Sequence, residues 1–64
     1  MLCHYYVIES TAGHGQWIVA DEDGKKALAS LPPEGRPYEI VWETDVVERD
    51  APFVTRLHTY GGSR

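Results

Sequence analysis

Tyr38-Glu39-Ile40-Val41-Trp42-Glu43-Thr44-Asp45-Val46-Val47-Glu48 is the stretch on which the fold turns. Its even positions are mostly apolar or aromatic and its odd positions include three carboxylates, the alternation of a strand with one buried and one acidic face. Same-face residues on a strand lie roughly 6.5–7 Å apart, so this alternation sets Glu43 and Asp45 at about twice the ~3.4 Å rise per nucleotide of one DNA strand, with Glu39 further along the same face. A row of that spacing imitates a phosphate backbone. The plainer alternative is the solvated outer face of an antiparallel sheet.

The neighbouring segments supply partners for this strand. Pro52 to Tyr60 reads as a further strand, and the register that sets Val46 against Phe53 also sets Trp42 against Leu57. It places Glu43 opposite Arg56, Asp45 opposite Val54 and Glu39 opposite Tyr60. Upstream, His4 to Ser10 and Gln16 to Asp21 are apolar runs separated by Thr11-Ala12-Gly13-His14-Gly15, a hairpin signature. Pairing Ile8 with Ile18 groups Tyr6, Ile8, Ile18 and Ala20 on one face and Tyr5, Val7, Trp17 and Val19 on the other. Both faces are then apolar, and the one the helix leaves uncovered needs a partner. Asp23 is placed to cap a short helix over Gly24–Leu31 with Ala27, Leu28 and Leu31 on its apolar stripe, and Pro32-Pro33 ends it. Pro33-Glu34-Gly35 follows as a tight turn.

These elements predict an α+β fold in one domain spanning 1–64: an antiparallel sheet of four or five strands with one short helix packed on a face. A β-grasp-like mixed sheet, its first and last strands parallel, is the alternative with the same chain order. The predicted core is Tyr38, Ile40, Trp42, Val46, Phe53 and Leu57 with Ile8, Ile18, Leu28 and Leu31, so that truncating Trp42 is expected to cost about 3–5 kcal/mol. Gly61–Arg64 has nothing to bury and is expected to fray.

Composition narrows the chemistry. Sixty-four residues bury only about 60% of the surface that the unfolded chain exposes, so marginal stability is expected. The lone cysteine, Cys3, cannot form an internal disulfide, and the start Met1-Leu2-Cys3-His4 has no signal-peptide pattern, so a cytoplasmic protein without a membrane span is expected. A formal net charge of −4 and scattered basic residues argue against direct nucleic-acid binding and for a basic partner. Asp21-Glu22-Asp23-Gly24 fails as a calcium loop, because aligning its glycine puts Val19 and Ser30 at the first and last ligand positions. Cys3 and His4 point to opposite faces of a strand and His14 sits in a glycine turn, which speaks against a thiol nucleophile or a metal site. Gly13-His14-Gly15 lacks the helix context of a phosphate loop. The expectation is a binding protein that is not an enzyme and carries no cofactor and no metal.

In its length, its lone Cys3 and its acidic strand with Glu39, Glu43 and Asp45, the chain resembles the small acidic anti-CRISPR proteins carried by phages and mobile elements, particularly those that inhibit type I effector complexes. The resemblance implies a non-enzymatic inhibitor that binds a CRISPR surveillance complex and blocks target DNA binding by phosphate mimicry. Strand parity, rather than the resemblance, nominates the partner-binding residues Glu39, Glu43 and Asp45, with Glu9 and the Asp21, Glu22, Asp23 turn as extensions. The alternative reading is a small phage or toxin–antitoxin assembly module that forms a homodimer through an apolar hairpin face. An enzyme built on Cys3 and a histidine ranks below both.

Overall fold

The computed structural model describes residues 1–57. The nine-residue strand β1 (Leu2–Ser10) runs through the middle of an antiparallel sheet. Strand β2 (Gln16–Asp21) pairs along one edge of β1; β3 (Tyr38–Glu43) and the two-residue β4 (Val47–Glu48) follow one another along the other. Strand β5 (Phe53–Arg56) lies outside β2, giving the order β3-β1-β2-β5. One short helix, α1 (Gly24–Ala29), and a 3-10 turn (Pro33–Gly35) connect β2 to β3. The expected antiparallel sheet with one short helix is present, with five strands among the described residues. The β-grasp alternative is overturned: among the described residues each pairing is antiparallel, and β1 and β5 are not neighbours.

Residue chemistry accounts for each element. The aromatic and β-branched run of β1 suits a central strand. Ser10 N–H donates to the Gly15 carbonyl at 2.9 Å, while Ser10 Oγ accepts from Ala12 and His14 N–H and donates to the Gly35 carbonyl. Gly13 and Gly15, at φ 86° and 96°, take the left-handed backbone that the loop requires. Asp23 caps α1 by accepting from Lys26 N–H at 2.9 Å. The helix ends at Ala29, short of the predicted Leu31, because Ser30 closes it by donating from its N–H to the Lys26 and Ala27 carbonyls. The core lies between α1 and one sheet face: Tyr6, Ile8, Val19, Ala27 and Leu31, with Trp17, Leu28, Tyr38 and Ile40 packed against them.

Three expectations about pairing are corrected. First, the hairpin pairs Ile8 with Trp17 and Val7 with Ile18, one residue from the predicted register. Ser10 gathers its loop through the side chain, so the loop spans Thr11–His14 and pairing begins one residue earlier. A one-residue slip exchanges faces, and Trp17 and Val19 now join Tyr6 and Ile8 under the helix.

Second, the C-terminal hairpin does not form. Strand β5 pairs with β2, Ala20 opposite Phe53 and Trp17 opposite Arg56, so the expected pairs Val46–Phe53, Trp42–Leu57, Glu43–Arg56 and Asp45–Val54 are absent. The chain is held beside β1 until Arg49: Val47 faces Cys3, the Met1 ammonium donates to Glu48 Oε2 at 2.8 Å, and Arg49 N–H donates to the Met1 carbonyl. The segment Arg49–Pro52 then crosses to the outer edge of β2. The Glu39–Tyr60 pair and the Gly61–Arg64 tail lie outside the described residues.

Third, β3 carries a bulge. Ile8 faces Ile40 but Val7 faces Trp42, leaving Val41 as an extra residue. Tyr38 and Ile40 therefore turn toward the helix, while Trp42 turns with Val7 to the uncovered face and is 55% exposed. Val46 is 52% exposed; Ile18, Phe53 and Leu57 are half-buried. Trp42 and Val46 are thus not core residues.

Candidate functional site

The bulge that exposes Trp42 also divides the acidic row. Glu39 lies opposite Glu9 on the uncovered face, whereas Glu43 lies opposite Tyr6 on the helix side. Asp45 follows in the link to β4, next to Thr44, whose hydroxyl accepts from Tyr5 N–H at 3.0 Å and whose N–H donates to the Tyr5 carbonyl. The expectation of Glu39, Glu43 and Asp45 on a single face is therefore corrected.

The remaining acids regroup at one end of the molecule. Asp21 pairs with His4 and Glu43 with Tyr6, so these carboxylates stand on the strands flanking β1, their backbones about 12 Å apart diagonally across the sheet. Asp23 enters from the turn before α1. Glu22 pairs with Lys26 across one helical turn, its hydrogen bond and charge raising the lysine pKa, and is partly neutralised. Among the described residues neither Asp21, Asp23 nor Glu43 has an ion-pair partner. His4 Nδ1 lies 2.8 Å from the Thr44 carbonyl, which can only accept, so Nδ1 carries the proton.

Tyr6 stands at the centre of this group. It is 3% exposed, its ring passing beneath Gly24, where an added Cβ would stand 3.8 Å from Cε1. Burial, and then the charges of Glu43, Asp23 and Asp21, push its pKa above the ordinary tyrosine value of 10.0. The sequence signal for this role was present, since Tyr6 precedes the Asp21-Glu22-Asp23 turn by one hairpin, but recognising it required the correct register. A pH effect follows. Above about pH 10 the unfolded chain loses the Tyr6 proton while the folded chain retains it, so stability falls as pH rises toward the folded value. Urea midpoints between pH 9 and pH 11 are expected to fall more steeply for the native chain than for Tyr6→Phe. Equal slopes would remove the carboxylates from the vicinity of that hydroxyl.

The uncovered face is ordered in rows. Trp42, Val7, Ile18 and Thr55 form the middle row across the four strands. Tyr5, Ala20 and Phe53 lie on one side of it, beneath the Arg49 guanidinium, which is 4.5 Å from the Phe53 ring centre and donates to Tyr5 Oη at 2.8 Å. Glu39, Glu9 and Gln16 lie on the other side.

Other chemistry is sparse. Cys3 is fully buried, and no group of three or more His, Cys, Asp or Glu among the described residues is arranged to hold a metal ion. An open groove of about 320 Å³ is lined by Leu28, Ala29, Arg36, Pro37 and Tyr38, with Arg36 as its one charged group. Trp17 Nε1 is buried without an acceptor among the described residues, its ring facing the Arg56 guanidinium at 4.9 Å. No helix among the described residues is long and apolar enough to cross a membrane. Compared with known proteins, the chain matches no protein family, no curated protein and no solved structure.

Proposed function

We propose that the protein is a non-enzymatic, cytoplasmic binding protein that engages a basic protein surface through its acidic end. An arginine or lysine of the partner seats against the Tyr6 hydroxyl among Asp21, Asp23 and Glu43. The observation that carries this reading is a tyrosine ring held more than nine-tenths buried with carboxylates placed around it from three elements, Glu43 opposite it on β3, Asp21 one step along on β2 and Asp23 in the β2–α1 turn, which raise its pKa. A phenolic oxygen ringed by carboxylates accepts hydrogen bonds from a cation, and a guanidinium supplies several donors at once. The resemblance to small acidic anti-CRISPR proteins gives the partner class: the basic DNA groove of a CRISPR surveillance complex, from which the acidic end excludes target DNA by occupying cations that otherwise meet phosphate. In this reading Glu9 and Glu39, on the opposite face, are not part of the contact.

The test combines Asp21→Lys, Glu43→Lys and Asp23→Asn, the last because asparagine preserves the helix cap. Binding and DNA competition are measured against a type I surveillance complex, with folding checked by circular dichroism and Glu39→Lys as the control. At about 1 kcal/mol for each exposed pair, the triple variant is expected to bind at least about 100-fold more weakly and the control near normally. Native binding should also weaken steeply as salt shortens the Debye length from about 10 Å at 0.1 M to 3 Å at 1 M. Full inhibition by the folded triple variant would sink the acidic-end mechanism. Failure of the native protein to bind any such complex would remove the CRISPR assignment.

A further inference from the structure

We infer that the uncovered sheet face is the seat of a second copy of this chain, packed face to face about a twofold axis running across the strands. The middle row, Trp42, Val7 and Ile18, is apolar, and its largest member is 55% exposed. A monomer seldom leaves such a row open to water. The charges on either side of the row identify the occupant. Arg49 lies over Tyr5 and Phe53 at one end, and Glu9, on the same strand as Tyr5, lies at the other with Glu39 beside it on β3, each one strand step of roughly 7 Å from the row.

A twofold axis along the middle row sets each Trp42, Val7 and Ile18 against its own symmetry mate. The same rotation keeps each strand over its own mate and reverses it end for end, so Glu9 of one copy comes over Tyr5 and the Arg49 guanidinium of the other, twice over. This is the self-complementarity that an isologous interface requires. Arg49 donates to Tyr5 Oη and, at 3.5 Å, to the Ala51 carbonyl, and a guanidinium has five N–H donors, so donors remain for a carboxylate. The net charge of −4 opposes self-association only weakly in this arrangement, because the acidic end with Asp21, Asp23 and Glu43 faces away from the interface. Four strands spaced at about 4.8 Å make a face about 19 Å wide, which falls at the low end of specific interfaces. The association is therefore concentration-dependent, and it does not use the surface assigned to the basic partner.

Sedimentation equilibrium from about 1 µM to about 500 µM tests this. The native chain is expected to pass from monomer to dimer with a blue shift of Trp42 emission. Trp42→Ala is expected to raise the dimer dissociation constant by more than about 30-fold, the effect of a central aromatic anchor. Glu9→Arg alone weakens the dimer, and Glu9→Arg with Arg49→Glu restores it by exchanging the charges across the axis. Because Arg49 also holds Tyr5, Trp42→Ala and Glu9→Arg carry the test if the double variant does not fold. A chain that remains monomeric at the highest concentration overturns the inference, as does a dimer indifferent to Trp42→Ala or a folded double variant that dimerises no better than Glu9→Arg.

Discussion

Truncating Ile8 to alanine is expected to cost about 2–5 kcal/mol, while truncating Trp42 costs less than about 1 kcal/mol. Ile8 is fully buried on the helix-covered face of the central strand, with Trp17 and Ile40 opposite it on the flanking strands. Removing its branched side chain leaves a cavity that the sheet cannot collapse to fill, since β1 is paired on both edges. Chains of this length have about 3–10 kcal/mol of total stability, so Ile8→Ala alone is expected to leave a large unfolded fraction. Trp42 gives up little on truncation, because the bulge at Val41 has already turned it to solvent. Denaturant unfolding at low micromolar concentration, where self-association contributes little, ranks the two variants. Equal costs would mean that β3 keeps the plain alternation of its sequence and that the bulge is absent.

This pair also marks how far the sequence could be read. Element types and chain order were legible, because apolar alternation, the Asp23 cap and the Pro32-Pro33 stop are local signals. Pairing was not. Val41 is as apolar as its neighbours, so nothing in the residue types of Ile40-Val41-Trp42 distinguishes a bulge from regular pleating, yet that bulge decides which acids share a face. The hairpin register depends on Ser10, the last residue of β1, whose side chain sets the loop length. The destination of β5 depended on Arg49 and the chain's first residue, a contact 48 positions apart in sequence. The candidate site inherits these limits: its acids were all identifiable, but the division into Glu9 with Glu39 and Asp21, Asp23 with Glu43 follows from pairing alone. Tyr6, the residue that unites the second group, has no motif.

Gly35→Ala is the second substitution with a large expected effect on stability. Gly35 is buried in the 3-10 turn, and a Cβ there would stand 2.8 Å from Tyr38 Cζ and 3.0 Å from Cε1, closer than side chains tolerate. The backbone cannot retreat easily, because Ser10 Oγ donates to the Gly35 carbonyl and Gly35 N–H donates to the Pro32 carbonyl. Tyr38 is held in turn by its hydroxyl, which donates to the Pro32 carbonyl. Overpacking of this kind costs about 1–3 kcal/mol. Tyr38→Phe alone loses one hydrogen bond, about 0.5–1.5 kcal/mol, but removes the atom nearest to the new methyl group. In the Gly35→Ala background that loss is offset by relief of the overlap, so the double variant is expected to be more stable than the sum of the single costs by about 0.5 kcal/mol or more. Urea unfolding of the four chains measures the coupling. Strict additivity would show that the methyl group is accommodated by movement of the turn, and that the Tyr38 ring does not fix the path of the chain from α1 into β3.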